Sequence, residues 1–260
     1  MDIDNIRAAA SMLNKLWSEG RRVVELPVAL RPETRDQGYE IQAHVESMSR
    51  LPLFGWKIAA TSLAGQKHIG VDGPLAGRLL VERVFSDGQE IPFGANSMKV
   101  AEAEFAFRIA AELPPRDAIY QQSEVLAAVS DLHLAIEIPD SRFIDFSAVG
   151  APQLIADNAC AHQFVLGRGV ASWRHIDLAS HPVVATWGRG LTRTGAGSNV
   201  LGDPRKALTW LVNELSALGI SLLPGEIVTT GTCLTPMEVA RGDQIEVDYG
   251  ELGTISCLLV

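Results

Sequence analysis

Two glutamates separated by a single residue stand out in the run KVAEAEFAFRIAA, residues 99–111. Residues two apart in a strand share a face, so Glu102 and Glu104 would point to the same side. Their Cα atoms would lie roughly 7 Å apart, from a rise of about 3.4 Å per residue, so both carboxylates can reach one point. A solvated edge strand gives the same pattern, but the small apolar neighbours favour a buried pair.

A third acid, Glu137, lies in LHLAIEIPDSR with Ala135 two residues before it on the same face. Three acids among apolar strands are unfavourable unless something neutralises them, and a divalent cation together with one lysine would balance the charge. Ligation by carboxylates alone selects a hard ion. The sequence therefore predicts Mg²⁺ or Mn²⁺ at Glu102, Glu104 and Glu137, with coordination positions left for water and substrate.

The lysine candidate is Lys57, in FGWKIAA at residues 54–60. It alternates with the apolar residues and shares a face with Gly55 and Ala59, so its side chain can extend into the space that they leave. An ordinary exposed lysine remains the alternative. Further along, Asp72 lies in GQKHIGVDGP at a tight turn, which on its own indicates only a turn.

The elements that would position these side chains are helices at the N-terminus and short strands beyond it. Apolar residues at helical spacing predict helices over residues 2–19 and about 33–50. Further helices are predicted at 123–130 and at 203–219, where Asp203 can cap the first turn and Pro204 follows. Short apolar or alternating runs predict strands at 79–85, 99–110, 133–139, 161–166, 181–189, 227–230, 244–249 and 253–259.

Many short strands with few helices predict an α+β architecture with a mixed, rolled, barrel-like sheet. We expect residues 1–78 to form a helical N-terminal region packed on the sheet. Residues 79–260 would form the β-rich catalytic domain, and the two together would make one structural unit.

Composition restricts the function further. The 260 residues carry a net charge of −9 and are 47% hydrophobic, which disfavours both disorder and nucleic-acid partners. No apolar run is long enough to cross a bilayer, and acids stand where a signal peptide carries positive charge, so no membrane partner is expected. The cysteines Cys160, Cys233 and Cys257 show no CxxC spacing, which fits a reducing cytoplasm without disulfides or zinc.

With these pieces in order, the chain resembles the 2-oxopent-4-enoate (2-hydroxypenta-2,4-dienoate) hydratase / 4-oxalocrotonate decarboxylase family, within the fumarylacetoacetate hydrolase superfamily. The resemblance extends from about residue 40 to the end of the chain. It is carried by GWKIAATS (55–62), IGVDGPLAG (69–77), VAEAEFAF (100–107), AIEIPDSR (135–142), IADNACAHQFVLG (155–167), GSNVLGDP (197–204) and VTTGT (228–232).

The resemblance implies a rolled, barrel-like sheet with a helical N-terminal region, and a homo-oligomer. It implies Mg²⁺ or Mn²⁺ held by the ExE pair and the later glutamate, and it matches Lys57 and Asp72 to the family's catalytic lysine and aspartate. Candidate substrate-binding residues within or beside the matching motifs are Arg142, Asp157, Asn158, His162, Thr230 and Gly231.

One departure from the family's pattern affects the expected substrate. Many relatives read DNASS or DNGSS where this chain reads DNACA, so that Cys160 and Ala161 replace two small hydroxyl side chains. If those serines contact substrate, this chain binds a different substrate or binds it differently.

The substrate implied is a small 2-oxo or 2-hydroxydienoic acid. Hydration is favoured, with ketonisation of the dienol followed by conjugate addition of water. Decarboxylation of the 4-oxalocrotonate type and hydrolysis of the acylpyruvate type pass through a similar enolate, so the motifs do not separate the three reactions. A non-catalytic relative is a further alternative, although it would have no need to keep Lys57 and Asp72 beside three glutamates. Chain length and a second carboxylate stay open.

Overall fold

The computed structural model describes residues 1–260 and contains six α-helices and thirteen strands, joined by turns and short 3-10 segments. The helices are α1 (Ile3–Glu19), α2 (Arg35–Ala43), α3 (Leu63–His68), α4 (Gln122–Ala127), α5 (Gly150–Ala156) and α6 (Pro204–Ala217). The strands are β1 (Leu53–Ala59), β2 (Leu75–Leu80), β3 (Val84–Ser86), β4 (Glu90–Ile91), β5 (Val100–Ile109), β6 (Val129–Ile138), β7 (Gln163–Val170), β8 (Pro182–Trp187), β9 (Leu191–Ala196), β10 (Ile227–Thr232), β11 (Met237–Glu238), β12 (Gln244–Asp248) and β13 (Thr254–Leu259).

The larger of two sheets has eight strands in the order β2-β1-β10-β5-β6-β7-β3, with β11 paired to the beginning of β5. The pairs β1–β10 and β3–β7 are parallel and the other pairs are antiparallel. The two strands that carry the predicted glutamates, β5 and β6, are therefore neighbours near the centre of this sheet.

The smaller sheet has the order β4-β13-β12-β8-β9 and shares one continuous hydrophobic core with the larger sheet and α6. Phe105 of β5 points into this core, where its ring meets Tyr249 at 5.2 Å between centroids. Because side chains alternate along β5, Glu102 and Glu104 point to the opposite face of the sheet from Phe105. The expected α+β fold, with a mixed, rolled, half-barrel sheet and a helical N-terminal segment, is confirmed.

The N-terminal region begins as expected. Asp2 caps α1 by accepting a hydrogen bond from the Asn5 amide, and Gly20 ends the helix at φ 62°. The apolar face of α1 packs in a separate cluster with residues of α2 and α5. However, β1 and β2 are strands of the large sheet, so residues 1–78 supply part of the sheet as well as a helical layer. The sheet runs without interruption across the predicted boundary at residue 78.

Element boundaries differ from prediction in two instructive places. The strand predicted at 79–85 is two strands, because a 3-10 turn at Val81–Arg83 separates β2 from β3, and the two lie at opposite edges of the sheet. The helix predicted over 33–50 ends at Ala43 and continues as a 3-10 segment, His44–Met48. The helix α6 is confirmed, with Asp203 as its cap and Pro204 in its first turn. None of the helices combines the length and apolar character needed to span a membrane.

Candidate metal centre

Three carboxylates converge on the face of the large sheet that points away from Phe105. Glu102 stands directly opposite Glu137 in the β5–β6 pairing, and Glu104 follows two residues along on the same face. Ligand oxygens of the three side chains all lie within 4.8 Å of one another. Glu104 and Glu137 are fully buried and Glu102 is half-buried. Strand alternation and strand register together therefore build the acidic cluster that the sequence predicts.

The hydrogen bonds of this cluster are incomplete. Glu104 Oε2 accepts hydrogen bonds from Thr229 Oγ1 and from the Gly231 amide, the latter at 2.9 Å. Glu137 Oε1 lies 3.1 Å from Lys57 Nζ as an ion pair. Glu104 Oε1 and Glu137 Oε2 are buried and receive no hydrogen bond. Buried polar atoms are nearly always paired, and a hard divalent cation would satisfy both oxygens, so the residues fit Mg²⁺ or Mn²⁺.

Burial raises the pKa of all three glutamates. For Glu137 the value reaches about 7, with Lys57 acting in the opposite direction. The pKa of Glu104 is raised well above its ordinary value by burial and then by the charges of Glu137 and Glu102. Burial alone would lower the pKa of Lys57, but Glu137 and Glu102 outweigh it and the net shift is upward. Without a cation, the cluster therefore tends to retain protons and Lys57 stays charged.

Lys57 is held by a close approach of three chain segments. It pairs with Gly77 across β1 and β2, and its Nζ donates to the Ala159 carbonyl at 3.0 Å. A Cβ on Gly77 would meet the Asn158 carbonyl oxygen at 2.5 Å and Lys57 Cδ at 3.0 Å. Glycine at position 77 is thus what leaves room for the lysine to reach Glu137.

The acceptor for Lys57 comes from a left-handed turn. Asn158, Ala159 and Cys160 have φ values of 55°, 49° and 61°, a conformation that L-residues adopt at a cost. The Asn158 side chain fixes the turn to β2, since Oδ1 accepts from the Arg78 amide at 2.7 Å and Nδ2 donates to its carbonyl at 2.9 Å. The turn directs the Ala159 carbonyl at Lys57 and places Cys160 in the wall of a cavity. Burial raises the pKa of the Cys160 thiol to about 12, so it stays neutral.

A cavity of about 720 Å³ leads from the surface to this centre, with Lys57 and Glu102 in its lining. One wall is the end of β1 with the following residues and one face of α3. Another is the connection from β10 to β11, and the start of β5 supplies a third. Because Glu104 and Glu137 are fully buried behind Glu102, the cavity reaches the acidic cluster from one side only.

Asp72, predicted as a catalytic acid or base, is not brought to this cavity. Its side chain is 90% exposed, and its nearest partner is Arg35 Nη1 at 3.5 Å. The tight turn that was the only local signal for Asp72 places it on the surface beyond α3, so the structure does not support a catalytic role for it.

Arg142 and Asp157, predicted to bind substrate, are instead bonded to each other. Arg142 Nε donates to Asp157 Oδ1, and Ser141 Oγ donates to Asp157 Oδ2 at 2.7 Å. Both charged side chains are buried, and neither lines the cavity. Since their polar groups are already satisfied within the protein, they stabilise the fold and are not available to a substrate carboxylate.

Three further predicted substrate-binding residues also have structural partners. Asn158 holds the left-handed turn as described above. His162 Nδ1 accepts a hydrogen bond from Trp17 Nε1 at 2.7 Å, and burial followed by Arg83 lowers its pKa to about 3, so the ring is neutral. Thr230 Oγ1 donates to the Phe105 carbonyl at 2.9 Å. None of the three lines the cavity.

Gly231 does line the cavity, and its amide donates to Glu104. Thr229, which sequence reasoning missed, donates to the same carboxylate oxygen. Alternation in VTTGT would have found it, because Thr229 and Gly231 share a face and Thr230 points to the other side. The Ala159 carbonyl was also missed, since no side-chain pattern announces a backbone acceptor.

Comparison with known proteins assigns the chain to a family. The profile of the family described as fumarylacetoacetate (FAA) hydrolase C-terminal matches residues 80–260. A 2-keto-4-pentenoate hydratase of Paraburkholderia xenovorans (strain LB400) is 31% identical over 251 residues, covering 95% of this chain and 92% of its own. A 2-hydroxyhexa-2,4-dienoate hydratase of Comamonas testosteroni is 29% identical over 86% of this chain and 85% of its own.

A solved structure of 4-oxalocrotonate decarboxylase from Pseudomonas putida G7, complexed with magnesium and adipate, is similar over the whole chain. The TM-score is 0.91 at 26% identity, with 100% of this chain and 99% of that chain covered. The resemblance carried by the sequence motifs is therefore confirmed in both sequence and structure. On these grounds the chain belongs to the fumarylacetoacetate (FAA) hydrolase family.

Proposed function

We propose that this protein is a metal-dependent hydratase that adds water to a 2-hydroxy-2,4-dienoate, or its 2-oxo-4-enoate tautomer, to give a 4-hydroxy-2-oxo acid. One observation carries the proposal. Three converging carboxylates, two of them fully buried and each with an oxygen that receives no hydrogen bond, meet a charged lysine at the inner end of a cavity. Relatives of nearly the same length that share about three residues in ten are named as hydratases of such acids.

Glu102, Glu104 and Glu137 would hold the cation, and the all-oxygen donor set suits Mg²⁺ or Mn²⁺. When bound, the cation supplies a Lewis acid that anchors the carboxylate and polarises the 2-oxygen of the substrate. Thr229 and the Gly231 amide fix the orientation of Glu104, as partners of ligands commonly do.

Lys57 stabilises the negative charge that develops on the 2-oxygen. It stays protonated, faces the cavity and is held in place by Glu137 and the Ala159 carbonyl. A preorganised positive group in a site of low dielectric needs little rearrangement as charge develops. With Asp72 outside the cavity, we assign proton transfer to Lys57, which would give a proton to the carbon chain and regain one from the 2-hydroxyl, so that it ends charged as it began.

Decarboxylation is the second candidate, and the similarity in structure to the 4-oxalocrotonate decarboxylase favours it. Both reactions begin with a 2-oxo acid held at the same three carboxylates. They differ in the fate of the substrate's distal end: a hydratase adds water there, and a decarboxylase of this type removes a carboxyl group as CO₂.

Product analysis separates the two. The Mg²⁺-loaded protein is incubated with 2-hydroxypenta-2,4-dienoate and, separately, with 4-oxalocrotonate. We expect 4-hydroxy-2-oxopentanoate from the first and no CO₂ from the second, with activity lost in EDTA and restored by Mg²⁺. Preferential CO₂ release would assign the decarboxylase, and no metal-dependent turnover of either acid would leave a non-catalytic relative.

Mg²⁺ or Mn²⁺ as the cation, a cytoplasmic location and a homo-oligomer remain predictions. Cys160, Cys233 and Cys257 are all buried and unpaired, which supports a reducing compartment.

A further inference from the structure

Granting the proposed reaction, we infer that the substrate carries an uncharged, apolar substituent, alkyl or aryl, at the end away from its 2-oxo acid group. Three features of the cavity point to this: its volume, the charges in its lining and the apolar residues that form its outer part.

The volume exceeds what a five-carbon acid would occupy. Pockets of roughly 300–1,000 Å³ enclose ligands of drug size, and this cavity measures about 720 Å³. A short dienoate anchored at Lys57 and Glu102 would leave most of that space to water. A longer apolar substituent would replace water that lies against the apolar residues of the lining.

The charges in the lining oppose a second carboxylate. Among the 24 lining residues, Lys57 is the only lysine or arginine, and it is already engaged by Glu137 and the Ala159 carbonyl. Glu238 lies near the mouth with an exposed side chain, and Arg193 pairs with it from outside the lining at 3.4 Å. A carboxylate at the distal end would therefore meet an acidic side chain and no free lysine or arginine. His68 is the one other lining residue able to carry positive charge, and its ring stands edge-on to Phe146.

Large apolar residues from four separate segments contribute to the lining, beside the uncharged polar side chains of Ser62, Asn199, Thr232 and Thr235. On β5, Val100 lies on the same face as Glu102 and about 7 Å further out, from a rise of about 3.4 Å per residue. Met98 extends that wall toward the mouth. The outer apolar lining is completed from the other segments, and its members are Ile69, Met98, Val100, Phe146, Leu234 and Pro236.

The acidic cluster and the apolar residues lie at different ends of the cavity, and this determines how the substrate is oriented. The carboxylate and 2-oxygen must lie at the inner end, beside the acidic cluster and Lys57. The carbon chain then extends along β5 past Val100, and its terminal substituent reaches the apolar part. Substrates with longer apolar termini are therefore expected to bind more tightly, and those with a terminal carboxylate less tightly.

Binding of unreactive acids tests the inference without turnover. Calorimetry on the Mg²⁺-loaded protein compares 2-oxopentanoate, 2-oxoheptanoate, 2-oxo-6-phenylhexanoate and the dicarboxylate 2-oxoadipate. Burial of each added methylene is expected to tighten binding about fourfold. The dicarboxylate is expected to bind at least tenfold more weakly than 2-oxoheptanoate. Equal affinities along the series, or tighter binding of 2-oxoadipate, would overturn the inference.

A substitution in the cavity wall tests where the distal end of the ligand binds. Met98→Lys places a cation beside the expected distal end, and we expect it to reduce or reverse the preference against 2-oxoadipate. Met48→Lys is the matched control, since Met48 is also a half-buried methionine but lies outside the cavity. This control variant should show the same preference against 2-oxoadipate as the parent protein. A preference unchanged in Met98→Lys would place the substituent elsewhere and contradict the inference.

The same acids as 2-hydroxy-2,4-dienoates separate this inference from the proposed reaction. If an apolar preference appears in binding but no dienoate is hydrated, the proposed function fails and the inference about the ligand stands. If dienoates are hydrated with a kcat/KM indifferent to apolar length, the proposed function stands and the inference fails.

Discussion

Two buried ionic clusters lie on either side of the left-handed turn at residues 158–160, and they differ in how fully their polar atoms are paired. In the arginine cluster, Arg142 and Asp157 form a neutral pair that Ser141 and backbone groups complete. In the glutamate cluster, three acids share the single charge of Lys57, and two carboxylate oxygens have no donor.

The difference shows what each cluster is for. Buried charges persist in folded proteins when they are paired and hydrogen-bonded, as in the arginine cluster. An excess of negative charge with unpaired oxygens is a poor way to stabilise a core, so it indicates a ligand that completes it. The sequence motifs predicted site residues in both clusters. Only the hydrogen bonds and ion pairs in the structure distinguish the structural cluster from the candidate metal site.

The largest expected loss of stability comes from breaking the arginine cluster. Arg142→Met leaves Asp157 buried without its counter-charge, and we expect a loss of about 3–5 kcal/mol in the free energy of unfolding. Urea unfolding at neutral pH measures it. Arg21→Met is the control, because Arg21 is exposed and its side chain pairs only with Glu19 at 3.2 Å, so its loss should cost less than about 1 kcal/mol. A small effect at Arg142 would mean that the arginine cluster is not structural.

Gly77 lies where the two clusters approach each other, and Gly77→Ala tests how tightly they are packed. The added Cβ would press on the Asn158 carbonyl and on Lys57, so we expect a loss of about 1–3 kcal/mol and displacement of the lysine. Gly73→Ala is the matched control, since a Cβ there meets nothing within 4 Å, and it should stay within about 0.5 kcal/mol. Equal stabilities of the two variants, measured by urea unfolding, would contradict the close approach.

In the glutamate cluster, Glu104→Gln should change the free energy of unfolding in the opposite sense from Arg142→Met. It removes one of three like charges, so the metal-free protein should be as stable as the parent or more stable. Mg²⁺ affinity should fall by at least about 10–100-fold, the range typical even for groups that only support ligands. Calorimetric titration with Mg²⁺ and unfolding in EDTA measure the two effects. Unchanged Mg²⁺ affinity would remove Glu104 from the proposed ligands.

The pH dependence of stability gives the most graded contrast. Burial raises the pKa of Glu137 from 4.5 to about 7, so the folded, metal-free protein keeps a proton that the unfolded chain releases. The resulting stability is fully present below about pH 4.5 and is lost as the pH rises through about 7, at up to ~1.4 kcal/mol per pH unit for one group.

Saturating Mg²⁺ should reverse that slope, because protons then compete with the cation for the same carboxylates. Unfolding in EDTA and in excess Mg²⁺ between pH 5 and pH 8 would show both trends. Glu104→Gln should flatten the EDTA profile, because it removes a buried carboxyl group whose own pKa is raised well above its ordinary value. Parallel profiles with and without Mg²⁺ would argue against a cation at this cluster.

Sequence reasoning located the acids because their arrangement is local. Alternation along a strand puts Glu102 and Glu104 on one face, and it puts Lys57 on the face with small neighbours, as the structure has them. What alternation could not supply was register, since a shift of one residue between β5 and β6 would send Glu137 to the other face. Charge balance and the family motifs, not the periodicity, linked the three.

The remaining differences arise from contacts that are distant in sequence. Arg142 and His162 lie within family motifs, but their partners Asp157 and Trp17 are assigned only by the folded chain. The split of one predicted strand into β2 and β3 has the same origin, because pairing partners, not local pattern, place those strands at opposite edges.

The left-handed turn determines how position 159 can tolerate substitution. The group that holds Lys57 there is a main-chain oxygen, which no point mutation deletes, so the position is constrained by backbone conformation and not by side-chain chemistry. Glycine, asparagine and aspartate accept positive φ, whereas β-branched residues resist it. A mutational survey of this enzyme would therefore find a functionally important position filled by an alanine, with tolerance set by the dihedral angle and by the small space left for a buried side chain.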